Sequence, residues 1–113
     1  LDEKKNPQWG KIHNLYGRLE IKEKNFEDAK ESFDEALEFY DAVFDGMHPD
    51  LSITMTGLAK CHLAQGDAEK ARELQTRAID IFKNFVADVT HPHYYMMNIC
   101  LAVIMRHSED KKG

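Results

Sequence analysis

Along the chain, Trp9, Ile12, Tyr16 and Leu19 fall at three- or four-residue steps, the spacing that sets side chains along one face of an α-helix. A polar break at Lys24-Asn25 follows, and then a longer stripe of the same period: Phe26, Ala29, Phe33, Ala36, Leu37, Tyr40 and Phe44, about five helical turns. A comparable stripe, Ala68, Ala71, Leu74, Ala78, Ile79, Phe82 and Val86, follows the break at Gln65-Gly66-Asp67. Gly66 suits a left-handed helix stop, and Asp67 suits the N-cap of the helix after it. Alanines along both long stripes predict close approach of neighbouring backbones, with the aromatics filling the space between layers. Both stripes therefore read as core and not as a cofactor box. Among their residues only Tyr40 brings a hydroxyl, which needs a partner or a route to water.

The elements repeat. Asn6-Pro7-Gln8 recurs as His48-Pro49-Asp50 and as His91-Pro92-His93, with proline intervals of 42 and 43 residues. Gly17, Ala59 and Ala102 each lie eleven residues after the first member of their triplet. At a spacing of 42, Ala29 pairs with Ala71, Ala36 with Ala78, Leu37 with Ile79, Asn25 with Asp67 and Tyr40 with Phe82. A fixed period of this size is the mark of a solenoid. Pro7 stands where its missing N–H costs nothing, near a helix start. The expectation is a single all-α domain over residues 1–113, an α-solenoid of antiparallel helix pairs with about five helices. Repeat 1 covers about 6–47, repeat 2 about 48–90, and a partial repeat 3, its first helix only, about 91–107, before a polar tail at 108–113.

At these positions the chain resembles a tetratricopeptide repeat, whose signature has a small residue in the first helix and an alanine, a bulky residue and another alanine in the second. The first unit supplies Tyr16-Gly17, then Ala29, Phe33 and Ala36; the second supplies Leu58-Ala59, then Ala71 and Ala78, with Gln75 where the bulky residue belongs. The family repeats every ~34 residues, so a period of 42 adds about two turns to the second helix and its outgoing loop. The long repeat that opens with His48-Pro49-Asp50 is similar to the kinesin-light-chain type, although the paired asparagines common there are replaced by Asn14-Leu15, Thr56-Gly57 and Ile99-Cys100. The resemblance implies a protein-protein interaction scaffold whose first helices line a concave groove. It points to Lys11, Asn14, Arg18, Lys22, Ile53, Thr56, Lys60, Leu63, Met96, Ile99, Val103 and Arg106 as partner-binding. The family's chaperone-binding carboxylate clamp is not reproduced, because Asn14 with Arg18 and Gly57 with Lys60 do not match its pattern.

Composition adds constraints. Hydrophobic residues at 42% and charged residues at 31%, with three prolines and six glycines, suit a packed helical protein. The net charge of −5 is uneven: residues 26–45 carry eight acids against Lys30, a local −7 that leaves the remainder at +2. Those acids read as one solvated helix face. No basic stripe dominates, which argues against nucleic acid and anionic membranes as partners. The longest apolar stretch, residues 94–105, is broken by Asn98 and is too short to cross a bilayer. Cys61 and Cys100 form no short-spaced pair, so neither a disulfide framework nor a zinc motif is indicated, and a reducing cytoplasm fits.

A basic groove with apolar patches predicts an extended acidic peptide with one or two hydrophobic anchors, charge steering the encounter and buried apolar groups supplying affinity. Six histidines raise metal and catalytic alternatives. His48 and His91 recur as repeat openings, which assigns them to ordering an interhelical turn. His91 and His93 make half a metal site at best, since stable zinc needs four convergent ligands. Cys61 beside His62 on one helix points to a different face. The expectation is a protein without enzyme activity, cofactor or metal. In the third unit Tyr94, Tyr95, Met97, Val103 and Ile104 belong to a helix apolar almost all round, which predicts self-association, for example as a homodimer. The alternative function is a regulatory or oligomerisation segment of a larger multidomain protein or enzyme.

Overall fold

The computed structural model describes residues 6, 8–86 and 90–112, with side chains up to residue 107. Among these residues the chain forms five α-helices and no strand: α1 Trp9–Lys22, α2 Phe26–Phe44, α3 Leu51–Ala64, α4 Ala68–Phe85 and α5 Pro92–Lys112. Each helix packs on the next in the chain, and α1 also reaches α3, which gives an elongated body of 53 × 33 × 21 Å. The second helices, 19 and 18 residues long, exceed the 14-residue first helices by about one turn, so much of the long period resides there.

Local chemistry sets the helix ends. Lys24, at φ 64°, takes the left-handed conformation that closes α1, with the Asn25 N–H donating to the Glu20 carbonyl at 2.8 Å. Gly66, at φ 89°, does the same for α3, with the Asp67 N–H donating to His62 at 2.9 Å. Asp67 then caps α4 by accepting from the Lys70 N–H at 3.1 Å. The triplets that open each repeat share one device. Asn6 Oδ1 accepts from the Gln8 N–H at 2.9 Å, His48 Nδ1 from the Asp50 N–H at 3.0 Å, and His91 Nδ1 from the His93 N–H at 3.1 Å. The histidine rings also contact aromatic residues in register, His48 lying tilted against Tyr40 and His91 edge-to-face with Phe82. The expected role of Pro7 lies outside the described residues.

Both long stripes are core. Phe33 is fully buried between α1 and α3, where a Cβ placed on Gly17 comes within 2.6 Å of its ring and one placed on Gly57 comes closer still. Gly10 is similarly capped by the Tyr40 ring. Tyr40 is buried, and its hydroxyl donates to Asp50 Oδ2 at 3.4 Å; burial, then the Asp50 charge and this hydrogen bond, raise its pKa well above the usual tyrosine value. Gln75 is also wholly buried: its Nε2 donates to the Met97 carbonyl at 3.0 Å, while Oε1 has no partner. The acids of α2 and the Asp45 that follows it are all exposed, as expected of a solvated face.

Three features differ from expectation. The segment read as a tail continues α5 as helix to Lys112. Met97 and Ile104, expected at a self-association surface, are 1% and 3% exposed in the core, because α4 covers that side of α5. Tyr94 is half-buried beneath Lys83, whose Nζ lies 5.7 Å from the ring centre. Only Tyr95 and Val103 of that set are exposed. Lastly, Ile12, Tyr16 and Leu19 do share a face of α1, but it is open to solvent. The residues in register with them, Thr54, Leu58 and Cys61 on α3, are buried because the preceding helix pair covers them.

Candidate functional site

The concave face holds a groove of about 380 Å³ lined only by first helices: Arg18 and Ile21 from α1, Ile53, Thr56, Gly57 and Lys60 from α3, and His93, Met96, Met97 and Cys100 from α5. A first helix is placed there because its partner, α2 or α4, packs behind it and takes the convex side. Five expected residues meet in this groove: Arg18, Ile53, Thr56, Lys60 and Met96.

The other seven do not line it. Asn14 is 4% exposed and forms a buried clip between α1 and α3: its Oδ1 accepts from the Thr54 hydroxyl at 2.8 Å and its Nδ2 donates to the Asp50 carbonyl at 3.4 Å. It is consumed by packing, which corrects the partner-binding assignment. Leu63 is half-buried against the core. Lys11, Lys22, Ile99, Val103 and Arg106 are exposed but stand away from the lining. On α5 the lining runs 93, 96, 97, 100, one turn N-terminal of the expected row. The lining residues not expected there are Ile21, Gly57, His93, Met97 and Cys100. His93 and Cys100 lie three and four residues from Met96, and Met97 lies four from His93, so that signal was present in the sequence.

The groove joins two cations, Arg18 and Lys60, to an apolar wall of Ile21, Ile53 and Met96. Two polar atoms on it have no hydrogen-bond partner, Thr56 Oγ1 and His93 Nε2. The His93 pKa is lowered below the ordinary imidazole value, first by burial and then by the charges of His91 and Arg18. His62, outside the groove, is also lowered, by burial and then chiefly by Lys30. Cys61 is buried and its thiol is pushed up to about 11 by burial and the Asp34 charge, which leaves it unreactive. Both cysteines are free. Among the described residues no three His, Cys, Asp or Glu side chains converge on a metal position, and no helix is long and apolar enough to cross a membrane.

A more open depression of about 520 Å³ lies between α4 and α5, flanked by Glu69, Arg72, Glu73, Arg77, Leu101 and Met105. Its charges are mixed, and it contains no comparable set of unpartnered polar atoms. The concave groove is thus the better candidate.

Comparison with known proteins agrees with this architecture. The family model described as tetratricopeptide repeat matches residues 10–84. Two similar curated proteins are Clustered mitochondria protein homologs from Culex quinquefasciatus and Aedes aegypti. Each is 29% identical over 90 residues, covering 78% of this chain. The chain spans only 6% of the length of either relative.

Proposed function

Because the chain belongs to the tetratricopeptide-repeat family, we propose that it is a binding module that holds an extended acidic peptide against its concave face, without chemistry of its own. The observation that carries this is the groove itself: Arg18 and Lys60 stand beside Ile53 and Met96 on three different first helices, a surface that pairs charge with apolar anchorage. The exposed acids of α2 lie outside the groove. Free thiols at Cys61 and Cys100 support action in the cytoplasm.

The test is a random peptide array probed with the chain, its best binders then measured in solution by fluorescence anisotropy. Binders should be enriched in Asp and Glu with one or two large apolar residues, and the pair Arg18→Glu, Lys60→Glu should weaken them at least about tenfold, a loss of ~1.4 kcal/mol. Unchanged binding by the charge-reversed chain rejects the groove.

A second reading is that the chain is a segment of a larger protein, docked to its neighbours through its end faces. Two observations favour it: the relatives are far longer than this chain, and Ile12, Tyr16 and Leu19 are exposed where their counterparts on α3 are covered. At the other end, Tyr95 and Val103 remain available for self-association.

A further inference from the structure

One part of the groove carries more than general charge complementarity. Thr56 Oγ1 on α3 and His93 Nε2 on α5 are shut off from water and hydrogen-bond nothing, an arrangement that buried polar atoms rarely keep. Both residues line the same groove as Arg18 and Lys60, whose side chains are exposed. His93 is held in place from behind: its N–H donates to His91 Nδ1 at 3.1 Å, and its ring packs on Phe82 of α4 at 5.0 Å. With Nδ1 and Nε2 as its only polar side-chain atoms, a protonated His93 has a donor with no acceptor in the free chain.

We propose that this wall of the groove is a subsite for one ionised Asp or Glu side chain of the bound peptide, held between Arg18 and Lys60, with the Thr56 hydroxyl and His93 Nε2–H as hydrogen-bond donors, so that binding takes up a proton at His93. The subsite rests on the peptide-groove function and sharpens it. Both atoms are shut off from water in the free chain, so a carboxylate in the groove reaches them only when the two side chains turn outward. The charges that act on His93 are Arg18 from α1 and His91 beside it, its ring packs on Phe82 from α4, and Lys60 from α3 lines the same groove; none of these is an acid, so in the free chain nothing there favours the imidazolium. An arriving carboxylate reverses that balance. By linkage, what the anion does for the proton the proton does for the anion, so affinity rises as pH falls through the His93 range. It falls again only when the ligand carboxylate itself protonates, at a pH near about 4.3 for glutamate.

The probes are N-acetyl-glutamate amide and its isostere N-acetyl-glutamine amide, titrated into the 113-residue chain and followed by NMR at the Thr56 amide and the His93 ring. The glutamate probe is expected to bind at least about tenfold tighter than the glutamine probe at pH 6, which corresponds to ~1.4 kcal/mol. Its saturation should raise the His93 titration midpoint by about one pH unit, so that its affinity increases several-fold as the pH falls from about 8 to about 5.5 and approaches a gain of about tenfold only below the free midpoint. His93→Gln is expected to flatten this pH profile. Equal binding of the two probes, or a His93 titration unmoved by the glutamate probe, overturns the subsite. This comparison uses the unaltered chain, so it does not depend on any variant folding. Array peptides that bind the groove equally with Glu or Gln would sink the subsite alone, whereas failure of every array peptide sinks the groove as well.

Discussion

Phe33 shows how much of this fold hangs on single atoms. Its ring, 0% exposed, occupies space that exists because α1 and α3 present hydrogens at Gly17 and Gly57 instead of methyl groups. Gly57→Ala therefore forces the ring to move within a closed core, an overpacking cost of about 1–3 kcal/mol. Improved helix propensity returns about 1 kcal/mol of that. Urea denaturation should show a net destabilisation of up to about 2 kcal/mol, and the penalty should shrink by at least about 0.5 kcal/mol in a Phe33→Leu background. Strictly additive effects would show that the ring is not the obstacle. In the sequence Gly57 reads only as a departure from a paired-asparagine pattern. Its contact with Phe33 spans two helices and leaves no trace in any local period.

At the scale of elements, the sequence was most legible where chemistry repeats locally. The triplets Asn6-Pro7-Gln8, His48-Pro49-Asp50 and His91-Pro92-His93 each supply a side-chain acceptor for the backbone N–H two residues on, which explains why asparagine and histidine interchange there. Lys24 and Gly66, 42 residues apart, both end a first helix in the left-handed conformation, yet only the glycine adopts it without steric cost. That cost for Lys24 is about 1–2 kcal/mol, against a gain in unfolded-chain freedom for glycine of about 0.5–1 kcal/mol. Lys24→Gly should accordingly raise stability by about 0.5–1 kcal/mol, read as a higher urea midpoint with an unchanged slope. A lower midpoint would mean that the Lys24 side chain makes a contact worth more than the strain. Less legible was α5, where the stretch from Tyr94 to Arg106 is thirteen residues long and apolar side chains point nearly everywhere. Periodicity cannot say which of them α4 covers, so Met97 and Ile104 looked as available as Tyr95 and Val103.

For the molecule as a whole, exposed acids coat α2, while Arg18 and Lys60 line the groove formed by the first helices. The groove's existence followed from the repeat, but its lining was only partly readable. Which side of each first helix faces the groove depends on contacts between helices, such as the Asn14–Thr54 hydrogen bond and that of the buried Gln75 to the Met97 carbonyl, which no single stripe encodes. The groove also carries its own reporter. Cys100 lines it and is half-buried, whereas Cys61 is buried with its thiol pushed up to about 11. Thiol modification of the folded chain by a disulfide reagent such as dithiobis-nitrobenzoate should therefore proceed at Cys100 and leave Cys61 untouched until denaturation. A saturating acidic peptide chosen from the array should slow modification of Cys100 at least about tenfold, because the peptide covers the thiol at full occupancy. If Cys100 reacts at the same rate with and without bound peptide, the ligand sits elsewhere and the concave groove is not the binding site.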